Sequence, residues 1–189
     1  MSVGGTVPDP TWKLNTFTDY WATGDAVNLA IGQGFLEATP LQMAVVYAAI
    51  ANGGDVLRPF LVAETAAPGG AKTREGERTV RAELPLGAAQ VQQIQTALRS
   101  QTSDPNGYGS VRVFGDFDWP IAGKTGTAQD QTRANRGEKP HSWFASFGPY
   151  GEEATIATAV MIENAGEGVS FAAPITRRVY EAYLDGDLG

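Results

Sequence analysis

The chain has 189 residues, enough to bury a core as one domain or a large part of one. With 42% hydrophobic and 19% charged residues it reads as globular rather than disordered. A net charge of -7 argues against a nucleic-acid partner or an anionic membrane surface, the lack of Cys excludes disulfides and thiolate chemistry, and a single His argues against a His-based metal site.

Residues 1–28 are rich in Gly, Pro, Asp and Thr and read as irregular chain. Trp12, Phe17, Tyr20 and Trp21 are too aromatic for a free tail, so this segment is expected to dock on something else. It shows no charged-then-apolar signal pattern, and no apolar run approaches the ~20 residues that span a bilayer. Gln33 between Gly32 and Gly34 reads as a structural tight turn. The first clear helix begins at Thr39, the expected N-cap, with Pro40 at the first helical position and Gln42 placed for a capping box. Leu41, Ala44, Val45 and Ala48 follow helical spacing, and Gly53-Gly54 ends the run. Residues 56–65 and 77–83 read as two short strands of an exposed, appended hairpin.

A second helix is expected over 86–101, with Val91, Ile94 and Leu98 as its apolar stripe and a Gln-rich solvated face. Residues 102–118 are dense in Gly, Asp, Asn and Pro and read as a loop. Three strands follow, over about 119–128, 142–148 and 154–163. In the second, Trp143, Ala145 and Phe147 alternate with Phe144 and Ser146, and Trp143 and Phe147 are core candidates. The links suit antiparallel pairing. A closing helix is expected over 174–185, with Ile175, Val179, Ala182 and Tyr183 on one face. The fold class is therefore α+β, an antiparallel sheet of at least three C-terminal strands packed against helices.

The segment Ile121-Ala122-Gly123-Lys124-Thr125-Gly126-Thr127-Ala128-Gln129 offers three readings. A phosphate-binding loop would need Gly at position 118, where Asp118 stands, and a loop leading into a helix rather than a strand. A bland reading is a small-residue strand with a solvated Lys. The third follows from resemblance. Lys124-Thr125-Gly126-Thr127 is similar to the Lys-Thr-Gly box of the penicillin-binding proteins and serine β-lactamases. Ala30-Ile31-Gly32-Gln33-Gly34, Thr39-Pro40-Leu41-Gln42-Met43-Ala44 and Ala51-Asn52-Gly53-Gly54 agree with it, as do His141-Ser142-Trp143-Phe144-Ala145 and Ile162-Glu163-Asn164 with Ala173-Pro174-Ile175. The resemblance covers nearly all of residues 5–185. It is closest to the monofunctional, class B penicillin-binding proteins of elongation or division. No Ser-x-x-Lys and no Ser-x-Asn occurs in the chain.

That resemblance implies a penicillin-binding/β-lactamase-like fold and a D,D-transpeptidase site. It implies catalytic roles for Lys124 and Thr127, and substrate binding by Lys124, Thr125, Gly126 and Thr127. Glycines at 123 and 126 would leave room for a substrate along the strand edge. Lys124 would place a cation beside the nucleophile, and the hydroxyls of Thr125 and Thr127 would bind a carboxylate. The N–H of Thr127 would serve the oxyanion hole. The ligands implied are the peptidoglycan stem peptide and β-lactams; no cofactor and no metal are implied. The parent would work at the extracytoplasmic face of a bacterial membrane. This chain would be the C-terminal half of the transpeptidase domain, inactive alone for want of its N-terminal half, with dimerisation or a domain swap covering what that half leaves bare. A non-enzymatic binding or scaffolding module of the same fold is the alternative, as is a fragment of a D,D-carboxypeptidase or serine β-lactamase. Other residues read as structural: His141 as a loop-end hydrogen bond, Glu152-Glu153 and Asp116/Asp118 as loop charges. Arg133, Arg136 and Lys139 form a basic loop, either solvated or steering an acidic stem peptide.

Overall fold

The computed structural model describes residues 4–106, 109–129 and 137–186. The N-terminal segment is not irregular. It holds two short helices, α1 (Pro10–Phe17) and α2 (Thr23–Ala30). Asp9 caps α1 by accepting from the Trp12 N–H at 2.7 Å, and Pro10 occupies the first helical position. The polar residues that read as loop join the helices: Lys13 Nζ lies 2.7 Å from Asp25, 2.8 Å from Asp19 and 3.0 Å from the Tyr20 carbonyl. The aromatics dock unequally. Trp12, Phe17 and Phe35 cluster with ring centroids 5.0–5.6 Å apart, whereas Tyr20 is 80% exposed.

Helix α3 (Pro40–Ala51) begins where the sequence places it. Thr39 Oγ1 accepts from the Gln42 N–H and Gln42 Oε1 accepts from the Thr39 N–H, so two otherwise orphaned donors are satisfied. Gly53 and Gly54, both at positive φ, turn the chain into β1 (Asp55–Leu57). The expected single hairpin is instead two separate pairs, one nested within the other along the chain. β1 pairs with β4 (Val80–Glu83), and further out β2 (Glu64–Ala66) pairs with β3 (Lys72–Arg74). Pro59, which has no N–H to donate, lies where the expected 56–65 strand breaks.

Helix α4 (Ala88–Ser103) buries Val91 and Thr102, with Ile94 and Leu98 packed on the core. Its Gln-rich face is not wholly solvated, because Gln95 Nε2 donates to the Ile50 carbonyl of α3 at 2.7 Å. The expected loop over 102–118 contains a single helical turn, α5 (Val111–Phe114), whose Phe114 is buried. One large apolar side chain among Gly and Asp is a weak sequence signal, yet here it is a core anchor.

The central sheet has the order β5 (Ala122–Ala128), β6 (His141–Gly148), β7 (Ile156–Ile162), all antiparallel. Helices cover both faces. On one, Tyr47 and Ile50 of α3 meet Ala122, Ala145 and Phe147, with Ile94 and Leu98 of α4 beside them. On the other, Phe114 and α6 (Ala172–Leu184) meet Phe144 and Ile121. Phe114 stacks on Phe144 at 5.2 Å. Phe147 is core, as expected; Trp143 is only half-buried and joins neither cluster.

The buried face of α6 differs from the expected one. Ala173, Thr176 and Tyr180 point inward, while Ile175 is 41% exposed. The Tyr180 hydroxyl lies 2.9 Å from Ser146 Oγ and 3.3 Å from Thr158 Oγ1, and those two lie 2.8 Å apart. Burial pushes the Tyr180 phenol up to about 12. A polar network in the core hid the inward face from a reading that followed apolar spacing.

Candidate active site

The Lys-Thr-Gly segment lies on β5, an edge strand whose pleat and ladder decide what each residue can do. Ala122, Lys124 and Gly126 oppose Phe147, Ala145 and Trp143 on the α3/α4 face. Gly123, Thr125 and Thr127 oppose Ser146, Phe144 and Ser142 on the α6 face. In an antiparallel ladder a residue turns both its N–H and its C=O to the same side, and its neighbour turns both the other way. Three contacts fix the parity. Ile121, Thr125 and Thr127 all offer their carbonyls away from β6, to Arg99, Lys124 and Gln33 respectively. The N–H groups of Thr125 and Thr127 therefore face outward along the free edge, while Lys124 and Gly126 spend theirs on β6.

Lys124 is exposed, and its side chain wraps over this edge. Nζ donates to the Thr125 carbonyl at 2.9 Å and approaches Thr125 Oγ1 at 3.4 Å. A cation and a hydroxyl from opposite faces of the strand thus meet at its rim, beside two outward N–H groups. That combination suits an extended ligand that carries a carboxylate and a polarisable carbonyl.

The two glycines do less for a ligand than their sequence suggested. A Cβ on Gly123 would stand 2.6 Å from Ser146 Cβ, 2.8 Å from the Phe144 ring and 2.9 Å from the Ala145 carbonyl, so this glycine serves packing within the sheet. A Cβ on Gly126 would stand 3.0 Å from Trp143 Cβ. Gly126 keeps its own backbone turned to β6 and leaves the Lys124 face low beside Trp143.

Both ends of the strand are anchored from outside the sheet. At its start, Arg99 Nη1 and Thr102 Oγ1 of α4 donate to the Ile121 carbonyl. Burial lowers the pKa of Arg99 from the usual guanidinium value, the loss of hydration being partly offset there by Tyr150. At its end, Gln33 Nε2 donates to the Thr127 carbonyl at 2.8 Å, and the Gln129 N–H donates to Gln33 Oε1 at 3.3 Å. The sequence suggested only a turn at Gln33. Gly32 and Gly34 do sit at positive φ, but they present the side chain to a strand 94 residues away.

The remaining candidates are placed as follows. His141 Nδ1 accepts from the Asn164 N–H at 3.1 Å, the loop-end hydrogen bond expected of it, which leaves its proton on Nε2. Asp116 lies 2.6 Å from Arg177, which holds its carboxyl below the usual range. Glu152 and Glu153 are exposed. Of the basic loop, Arg133 and Arg136 lie outside the described residues, and Lys139 is exposed. Among the described residues no cluster of His, Cys, Asp and Glu could hold a metal ion. No described helix is long and apolar enough to cross a membrane.

An antiparallel sheet between helical layers, with Lys-Thr-Gly on its edge strand, defines a class, and comparison with known proteins gives the family. Residues 5–181 match the model of the penicillin binding protein transpeptidase domain, and the chain belongs to that family. It is 32% identical, over 95% of its length, to the peptidoglycan D,D-transpeptidase MrdA of Haemophilus influenzae, of which it covers 29%. The structure of Pseudomonas aeruginosa PBP2 in complex with WCK 5153 matches 95% of the chain with a TM-score of 0.78 and 30% identity, and the chain covers 38% of it. The penicillin G acyl-enzyme complex of Mycobacterium tuberculosis penicillin-binding protein A matches 83% with a TM-score of 0.68 and 30% identity, with 34% of it covered. The chain thus spans under a third of the length of the curated relative from Haemophilus influenzae.

Proposed function

We propose that this chain supplies the Lys-Thr-Gly wall of a peptidoglycan D,D-transpeptidase site. The observation that carries the reading is the outer edge of β5, where the Lys124 ammonium lies at the Thr125 carbonyl and hydroxyl beside the outward N–H groups of Thr125 and Thr127. The acyl donor, an extended stem peptide ending in a carboxylate, lies along this edge. Lys124 and the Thr125 hydroxyl hold the carboxylate. The Thr127 N–H donates to the oxygen of the attacked carbonyl as negative charge builds on it. A serine hydroxyl attacks the penultimate D-Ala carbonyl, the terminal D-Ala leaves with a proton, and an amine from a neighbouring strand displaces the serine to form the cross-link.

Neither Ser-x-x-Lys nor Ser-x-Asn occurs in these 189 residues, so the nucleophile and its base come from outside them. β-Lactams acylate the same serine, a reading supported by the acyl-enzyme complex of the Mycobacterium tuberculosis relative. A peptidoglycan substrate supports a working position at the extracytoplasmic face of the membrane for this enzyme.

The test is labelling with a fluorescent penicillin. The 189-residue chain takes up no covalent label, whereas a longer protein that joins it to a Ser-x-x-Lys segment labels stoichiometrically. In that protein Lys124→Ala raises the acylation barrier by about 2–4 kcal/mol, the worth of an oriented charge beside developing charge. In the chain alone the same change alters stability by less than about 0.5 kcal/mol, since Lys124 is exposed. A stable adduct on the chain alone, or unchanged acylation of the Lys124→Ala protein, overturns the assignment.

A further inference from the structure

We propose that Gln33 is a positioning residue for the transpeptidase site: its side-chain amide closes the outer edge of β5 at Thr127 and Gln129, holding Thr127 in place and ending the ledge on which an extended ligand pairs. The inference rests on the proposed function of the β5 edge.

An edge strand leaves every second residue with an unpaired N–H and C=O, here on odd-numbered positions. A primary amide carries one acceptor and two donors, the complement that a neighbouring strand presents to such an edge. Gln33 uses both: Nε2–H to the Thr127 carbonyl at 2.8 Å and Oε1 from the Gln129 N–H at 3.3 Å. It acts as a one-residue strand. The Thr127 carbonyl and the Gln129 N–H flank Ala128, so the pair fixes the two peptide planes that follow the Thr127 N–H. Without it, among the described residues, the last outward residues of β5 are held through the inward bonds of Gly126 and Ala128 to β6.

The amide is itself held. Gly32 and Gly34 at φ 73° and 77° form the turn after α2, and the Gln33 N–H donates to the Asn28 carbonyl at 2.8 Å. Gln33 is half-buried, so the pair is only partly open to competing water. At the opposite end of the strand the Ile121 carbonyl is taken by Arg99 and Thr102. Between these anchors the outward groups of Gly123, the N–H of Thr125 and the N–H of Thr127 are what the edge offers, room for about two residues of a paired ligand. Gln33 sets where that ledge stops.

Two measurements test this. In the 189-residue chain, Gln33→Met keeps length and removes both hydrogen bonds. Amide exchange at Gln129 is then expected to accelerate at least tenfold, with Lys124 and Gly126, bonded to β6, unchanged. In the longer protein, Gln33→Met is expected to slow the acylation step by penicillin on the order of tenfold, about one net hydrogen bond, with the melting temperature of the protein lowered by no more than about a few degrees. Gln33→Glu adds a signature that a merely structural role does not produce. Its carboxylate repels the Thr127 carbonyl, but a protonated carboxyl both donates and accepts, so its deficit against wild type narrows as pH falls below about 4–5. Wild-type protein that acylates normally alongside Gln33 variants that match it at every pH overturns the positioning role alone. Wild-type longer protein that takes up no penicillin overturns the proposed function, and the positioning role with it.

Discussion

Gly123→Ala separates packing from ligand binding within the motif. If the glycine only made room for a ligand, a methyl group there would be harmless to folding, and lower backbone freedom in the unfolded chain would stabilise by about 0.4–1 kcal/mol. The structure predicts the opposite sign. The added Cβ meets Ser146 Cβ at 2.6 Å, the Phe144 ring at 2.8 Å and the Ala145 carbonyl at 2.9 Å. All three belong to the paired strand β6, and Phe144 is fully buried and stacked on Phe114, so none is a loose end that can swing away. Overpacking of a close-packed core costs typically 1–3 kcal/mol, which outweighs the entropy gain. At about 2–4 °C per kcal/mol for a domain of this size, that overpacking cost by itself lowers the melting temperature by about 2–12 °C. Thermal unfolding by circular dichroism reads it, with Thr127→Ala, an exposed position on the same strand, as the control expected to stay within about 0.5 kcal/mol. An unchanged or raised melting temperature for Gly123→Ala would refute the packing argument and return the glycine to the ligand.

Two further outcomes are expected. The Lys13 ammonium holds the Asp25 carboxyl below its usual value, with the Ala22 N–H assisting, so this contribution is present above the unfolded carboxylate pKa near 3.9 and is lost as pH falls through the folded value. Asp25→Asn should flatten that acid limb in urea titrations, and an identical limb in both proteins would dismiss the pair. The outer edge of β7, Ile156–Ile162, has no strand beyond it among the described residues and carries no charge, while Val27, Ile31, Leu41 and Val46 are exposed apolar side chains on and around α2 and α3. The isolated chain should therefore self-associate, with sedimentation coefficients that rise between tens and hundreds of micromolar, and a monomer throughout would argue against it.

What the sequence disclosed and what it concealed divide along a physical line. Thr39-Pro40 with Gln42, the three C-terminal strands and Gly53-Gly54 depend on local rules, namely capping, period-two alternation and positive φ, and these are readable in short windows. The concealed features depend on partners far along the chain. Lys13, Asp19 and Asp25 look like loop residues until they bind one another. Tyr180 and Thr176 look like surface until Ser146 and Thr158 meet the phenol. Phe114 looks stranded among Gly and Asp until Phe144 stacks on it. In the candidate site, the four-residue resemblance singled out Lys124, Thr125 and Thr127, which lie on β5, whereas Gln33 was legible only as a turn, because the strand it completes begins almost ninety residues later.

The same distinction explains why Lys-Thr-Gly is weak as a local signal and strong in this setting. A cationic edge strand is ordinary, since charges on edges deter unwanted pairing. Here the edge is closed at one end by Arg99 and Thr102 and at the other by Gln33, so the deterrent is confined to the stretch between. Lys124 lies on that stretch and turns its charge toward the Thr125 carbonyl rather than away from the strand. Pairing with a neutral strand would leave that ammonium competing with the incoming backbone, while a ligand ending in a carboxylate satisfies both. On the proposed reading, the selectivity of the ledge arises from three elements distant in sequence, and the motif marks only the residues between the two anchors.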